Sequence, residues 1–422
     1  MAGPKRLTTR RGIRLWLIKH AASSKDWHDV AVPDAAFSWL PFTVQTNGYR
    51  FRPHPSFNLQ EHAGITISKT YYVDRENGND ANTGADWDNA LKEINTAWGK
   101  GDVDRVYVRD SVFFLDECNV EPTRDVETIG VGEVILSSNC RNDAGSFSAV
   151  DNHYEADFGH YRYIGSCYDD TRLDIYGIAR SLSKVADIAT VDSTPNSFFF
   201  NYTGGYNNTM YIRTHDDREP DGDVRYHETG PFFRDADNQT LYFENLTFQN
   251  SMRLRNSTAT AGSLYCLKRC KTKGITLNAA DVILEDCIIE KGEYAGGDGI
   301  NFNARDGVIV KLVEINCTIK HAPLGGSSDQ CSTGHAACQS VRLNPDYFDW
   351  GGQIIADVGG CQSWVLGGKL ADSAHGDAYY QDGDAWLDHC YLDGDLIEAG
   401  SGTIYLRKCT VTGSQSGDIQ AY

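Results

Sequence analysis

Tyr265-Cys266-Leu267-Lys268-Arg269-Cys270 is a short phrase that returns along the second half of this 422-residue chain. It recurs as Ile283-Leu284-Glu285-Asp286-Cys287, Trp386-Leu387-Asp388-His389-Cys390 and Tyr405-Leu406-Arg407-Lys408-Cys409. Tyr242-Phe243-Glu244-Asn245-Leu246 is a fifth copy with Leu in the Cys position. The steps from Cys270 to Cys287 and from Cys390 to Cys409 are short and nearly equal. Each copy alternates apolar and polar residues, the period of a strand with one buried face. Gly274, Gly292, Gly394 and Gly413 follow where the chain must turn. Short strands, tight turns and so short a repeat predict an all-β chain, a right-handed parallel β-helix. Its coils stack like residues into ladders, because one coil cannot bury its inner face alone.

The Cys of the phrase fall at inward strand positions, where a thiol acts as a small hydrophobe. They are expected to be reduced and packed. The dispersed spacing does not suit zinc.

Composition narrows the function. Residues 1–70 hold ten Lys/Arg and four Asp/Glu, a net +6, so residues 71–422 carry −25 against the overall −19. An acidic body repels phosphate backbones, and nucleic acid is not an expected partner. No apolar run is long enough to suggest a membrane span. Charges inside Ile13–Lys19 argue against a signal peptide. Residues 1–70 hold five of the eleven Pro and scattered aromatics, with turns expected at Asn47-Gly48 and Pro53-His54-Pro55. They are expected to form a small separate module that docks on another protein.

Residues 71–108 open the repeat region. Tyr71-Tyr72-Val73-Asp74 runs into the Asn-, Asp- and Gly-rich loop Asn77–Gly84. Trp87–Trp98 places Leu91, Ile94 and Trp98 on one helical face, with Asp86 or Asp88 to cap its start. Such a helix would cover the end of the solenoid. Gly101-Asp102 and the strand Val106-Tyr107-Val108 follow. Residues 109–422 form the β-helix, with insertion loops around 193–234.

This opening resembles that of pectate-lyase-like β-helix proteins, a superfamily that includes bacteriophage tailspikes and tail fibres. The resemblance implies a phage tail protein of the virion, assembled in the host cytoplasm as a homotrimer. It would bind a bacterial surface glycan and meet other tail or baseplate proteins through residues 1–70. Two alternatives are a non-catalytic receptor-binding fibre and a bacterial polysaccharide hydrolase or lyase.

Loops stacked on one side of a β-helix form a groove suited to polysaccharide. Glycoside hydrolysis needs one protonated and one ionised carboxyl at a set separation. Three clusters qualify: Gly296–Asn303 with Asp298 and Asn301, Ser327–His335 with Asp329 and His335, and His375–Asp384 with His375, Asp377 and Asp382. Asp298 with Asp377 or Asp382 would supply the two carboxyls, and His335 or His375 would move protons or hold substrate. Tyr379 and Tyr380 could stack on sugar faces. Asn301 and Arg342 are further candidates to bind substrate. Turn chemistry is the bland reading of every Asp and Asn beside Gly. A lyase would need a base, Arg305 or Arg342, and calcium on Asp377, Asp382 and Asp384. Otherwise no cofactor or metal is expected, and a hydrolase is favoured over a lyase.

Overall fold

The computed structural model describes residues 26–113, 122–136, 139–140, 147–158, 164–173, 179–203, 208–221, 224–228, 232–235, 238–249, 251–255, 262–291, 297–305, 307–322 and 328–422. From residue 240 onward the chain winds as a parallel β-solenoid with three strands per coil. The first strand of successive coils is Leu264–Lys268, Asp281–Glu285, Lys311–Ile315, Gln339–Leu343, Gln362–Leu366, Ala385–Asp388 and Ile404–Arg407. All are parallel and in register. A second sheet runs from Lys271–Thr272 to Thr410–Val411. The third sheet holds nine strands, from Phe232–Asp235 to Gln415–Ser416.

From residue 240 onward a left-handed residue turns the chain from the first sheet to the second in each coil. Asn245, Arg269, Asp286, Asn316, Asn344, Gly367, His389 and Lys408 all have φ between 50° and 68°. The phrase therefore marks a corner: the residue before its Cys takes the turn, and the Cys swings inward. Cys270, Cys287, Cys317 and Cys390 are at most 1% exposed. The Cys270, Cys287 and Cys390 thiols donate along the stack, as Cys287 Sγ does to the Leu267 carbonyl at 3.4 Å. The corner recurs without its Cys at Pro345 and at Gly368 (φ 88°), where a Cβ would lie 2.2 Å from the Pro345 carbonyl oxygen. Coils are unequal. Cys266 pairs with Ile283 one short coil on, but Ile283 pairs with Val313 across a much longer one.

The ladder cysteines from Cys270 to Cys409 are thiols, not disulfides. Burial pushes the Cys287, Cys317 and Cys390 thiols well up, which suppresses the nucleophilic thiolate. Ellman's reagent at neutral pH is expected to titrate Cys270, Cys287, Cys317 and Cys390 only after unfolding. Fast titration of these four in the native protein would contradict the ladder.

Over its described part the amino-terminal segment packs on the solenoid; residues 1–25 lie outside the described residues. Val44–Thr46 and Phe51–Pro53 form a hairpin through the expected Asn47-Gly48 turn. A 3-10 turn, Ala35–Phe37, and a short helix, Leu59–Ala63, flank it. Asn58 caps that helix and Gly64 ends it at φ 67°. Phe37, Val44, Phe51, Leu59 and Ala63 pack on the outer face of the first sheet, against Val313, Val341, Trp364 and Trp386 among others. Asn344, a corner residue, accepts from Phe51 N–H at 3.0 Å and donates to Phe51 O at 2.6 Å.

Thr70–Val73 pairs in parallel with Arg105–Phe113 and begins the solenoid. Asp74 anchors the polar loop after it, accepting from the Glu76 and Asn77 amides and pairing with Arg109 at 2.7 Å. The helix expected over 87–98 is reduced to a short one, Ile94–Trp98. Asp86 spends its carboxylate on a turn at Asn89 instead. Ile94, Ala97 and Trp98 are fully buried, and Trp98 Nε1 donates to Thr128.

The insertion is wider than 193–234. It leaves the solenoid after Val126–Leu136 and rejoins it at Phe232–Asp235. Between them lie two mainly antiparallel sheets with their own core, including Phe158, Phe198, Phe200, Met210 and Tyr226. Among the described residues no helix is long and apolar enough to cross a membrane.

Candidate functional site

Strand parity decides which side chains the third sheet offers to solvent. Ile300–Asn303, Ser332–His335, Ile355–Val358, Ala378–Gln381 and Leu396–Ala399 are consecutive rungs. One outward column runs Thr276, Asn301, Thr333, Ala356, Tyr379, Ile397, of which Thr333 and Ala356 are buried. The next runs Asn278, Asn303, His335, Val358, Gln381. The inward column between them is Leu277, Phe302, Gly334, Asp357, Tyr380, Glu398.

Asp298 stands where the chain enters this sheet from the second. Its Oδ2 accepts from Asn301 Nδ2 at 2.6 Å, and its Oδ1 from the Gln330 amide of the next rung at 2.8 Å. Asn301 also accepts from Asn303, and it lies 3.5 Å from His335 Nε2. His335 Nε2 is equally close to Thr333 Oγ1. Asp329 follows one rung on, its carbonyl held by Trp350 Nε1 at 3.1 Å. Lys291 lies beside both carboxylates. Burial lowers its ammonium pKa, while the charges of Asp298 and Asp329 act the other way. The structure thus brings Asp298, Asn301, Asp329 and His335 together and adds Asn303 and Lys291. Gly296 and Ser327, at the ends of two sequence clusters, lie outside the described residues.

Other expected site residues fall elsewhere. Asp377 sits three rungs from Asp298, roughly 14 Å at ~4.8 Å per rung, too far for the pair of carboxyls in a glycosidase. Asp382 lies on the opposite edge of the sheet, in a left-handed turn at φ 60°, accepting from the Ser401 amide. Asp384 likewise braces the Thr403 amide. These two are turn chemistry. His375 is exposed in the loop before Gly376. Tyr379 faces outward, but Tyr380 points inward and is 1% exposed, so it cannot stack on a sugar.

Arg342 is also inside. It occupies the inner column of the first sheet, between Glu314 of the coil before and Val365 of the coil after. It is fully buried among Glu314, Asp357, Ser332 and Ser340, which removes it from substrate binding and from the lyase scheme. Among the described residues no three His, Cys, Asp or Glu side chains are placed to hold a metal ion.

Asp377 belongs to a separate cleft, with Asp372, Ser373, Gly376, Asp393 and Asp395. It is 1% exposed, and burial pushes its carboxyl up to about 7. Sequence reasoning missed Asp372, Asp393 and Asp395. The repeated Asp-Gly-Asp at 382–384 and 393–395 was the available signal.

The fold has known counterparts. A structure described as a glycoside hydrolase aligns with a TM-score of 0.54 at 7% identity, over 82% of this chain and 97% of that one. XylC in complex with xylose aligns at 0.50 and 10% identity, over 82% and 70%. At such identity the likeness is one of fold. No protein-family model matches the chain. No curated protein matches it in sequence.

Proposed function

We propose that this chain is a carbohydrate-binding β-solenoid that lays an extended glycan along the outer face of its third sheet. The observation that carries this reading is the cluster of Asp298, Asn301, Asn303, Asp329, His335 and Lys291 at one place on that face. Carboxylate, amide and imidazole groups match the paired hydroxyls of sugars in both donor and acceptor roles. Tyr379, two rungs on from Thr333, supplies an aromatic surface for a sugar ring. The fold likeness to a glycoside hydrolase and to a xylose-bound protein supports the same class of ligand.

The finer reading is a bacteriophage tail fibre or tailspike that recognises a bacterial surface polysaccharide as a homotrimer. It rests on the resemblance of residues 71–108. A monomer by light scattering would end the trimer.

The test is an array carrying bacterial capsular and O-antigen polysaccharides together with plant xylans. The full chain is expected to retain at least one of them. Asn301→Ala with His335→Ala should weaken that binding about tenfold, the worth of one or two net hydrogen bonds. No retained glycan, or a double variant that binds like wild type, would overturn the reading.

A further inference from the structure

The acidic cleft lies on the same seam between the second and third sheets, two rungs beyond the Ser332–His335 strand. Its backbone is fixed on both sides: the Ile355 amide donates to Asp377 O at 2.9 Å, and the Asp377 amide to Asp395 O at 3.1 Å. The Asp377 carboxyl packs over Gly394 of the next rung, where a Cβ would stand 3.1 Å from its Cγ and Oδ1. Oδ1 and Oδ2 differ in their surroundings. Oδ2 is buried with no hydrogen-bond partner, yet the residue lines a cleft. A buried, unpartnered carboxyl oxygen at the wall of a cleft is poised to donate a proton to a ligand atom that completes its hydrogen bond.

We propose that this cleft is a hydrolytic centre for the glycan, with Asp377 as general acid and Asp393 as the carboxylate that activates water. The proposal rests on the glycan reading. Asp377 would give its proton to the glycosidic oxygen as the bond from that oxygen to the anomeric carbon breaks. A water would add its oxygen to the anomeric carbon and lose one proton to Asp393. The products are an alcohol and a new reducing end, and solvent returns the proton from Asp393 to Asp377. One glycosidic bond and one water are consumed, and nothing is oxidised.

Asp393 is the carboxylate most strongly felt by Asp377, ahead of Asp372. The Tyr391 and Thr412 hydroxyls hold it at 3.2 and 3.3 Å. The register sets Asp395 opposite Asp377, and Asp393 lies two residues before it across Gly394, against which the Asp377 carboxyl packs, an arrangement compatible with carboxyls about 5 to 9.5 Å apart. Burial keeps Asp377 protonated up to about pH 7; the Asp393 and Asp372 charges add to this, while the amides of Gly394 and Asp393 oppose it. Among the described residues Asp395 in the cleft wall, the Tyr391 hydroxyl and the buried Cys331 thiol also face it. Because the acid must hold its proton, release should fall as pH rises through about 7.

The experiment measures new reducing ends from each glycan retained on the array, using full-length wild type, Asp377→Asn and Asp393→Asn. Wild type is expected to release reducing ends. Each variant should lose at least ~100-fold, the lower bound for one general acid or base, with glycan affinity and melting midpoint unchanged. Wild type that binds a glycan and releases nothing would overturn the proposal and leave the binding reading standing. So would Asp377→Asn releasing at the wild-type rate. If no glycan is retained at all, the binding reading fails and this proposal falls with it.

Discussion

Arg342→Met is expected to destabilise the solenoid by about 3–5 kcal/mol, the cost of leaving buried charge without its partner. The guanidinium is fully buried. It reaches Glu314 Oε1 at 3.2 Å, Asp357 Oδ2 at 2.9 Å, Ser340 Oγ at 2.8 Å and Ser332 Oγ at 2.9 Å. Tyr347 donates to Glu314, and Ser363 to Asp357. Two carboxyls and one guanidinium thus share one interior network. Methionine has similar length and fills the space, so the loss is electrostatic rather than a cavity. Burial already favours the neutral form of Glu314, and Arg342 is the main group opposing it. Without Arg342, Glu314 would titrate higher in the folded state than in the unfolded one. Between those two values the native state holds more protons, so the variant should lose stability as pH rises above about 4. Denaturation midpoints between about pH 4 and 8 check both size and sign. A flat profile or an unchanged midpoint would show that the network contributes nothing. Replacing Glu314, Arg342 and Asp357 together by apolar residues should restore most of the loss, since the desolvation cost leaves with the charges.

Arg342 also shows why part of the fold was legible and part was not. The Leu-x-x-Cys phrase exposed the coils because period-two alternation and an inward thiol are local properties. The corner itself was less visible: left-handed positions occupied by Arg269, His389 and Lys408 carry no Gly or Asn signal. The copy at Leu312–Cys317 was missed because Glu314 stands where the other copies have Leu or Phe, and because the coil leading to it is far longer than the one before. Alternation assumes that one face of a strand meets water. On the first sheet both faces are covered, so Val341 points to the amino-terminal segment and Arg342 to the core. The polar residue then looked like the solvent side. Tyr380 was misread for a different reason: nothing local says which of two adjacent tyrosines faces in. Of the proposed site, Asp298, Asn301, Asp329 and His335 were candidates because they sit in acidic, Gly-flanked loops. Lys291 and the partners of Asp377 depend on which rungs become neighbours, and variable loop lengths hide that from a single sequence.

Phe37→Ala is expected to cost about 3–5 kcal/mol, the usual range for deleting a buried aromatic ring. Phe37 is fully buried. Its ring meets Trp386 edge-on at 5.6 Å and Trp364 at 5.8 Å. The first sheet presents there a continuous outward column of Tyr242, Cys266, Ile283, Val313, Val341, Trp364 and Trp386. No charged residue interrupts it, so the segment over it is what keeps a large apolar patch from water. The hairpin is held mainly by this contact and by the Asn344 clasp on Phe51, because a two-stranded ribbon with short helices has little stability of its own. Loss of the ring should therefore release the segment before the coils unwind. Limited proteolysis is expected to cut Phe37→Ala between residues 38 and 66 under conditions that leave wild type intact, and a dye that binds apolar surface should brighten in parallel. A chain truncated before residue 68 should expose the same column and aggregate, whereas a detachable module would leave a soluble solenoid. If Phe37→Ala resists protease and melts with wild type, the segment's docking does not stabilise the fold, and the separate module expected from sequence becomes the better description.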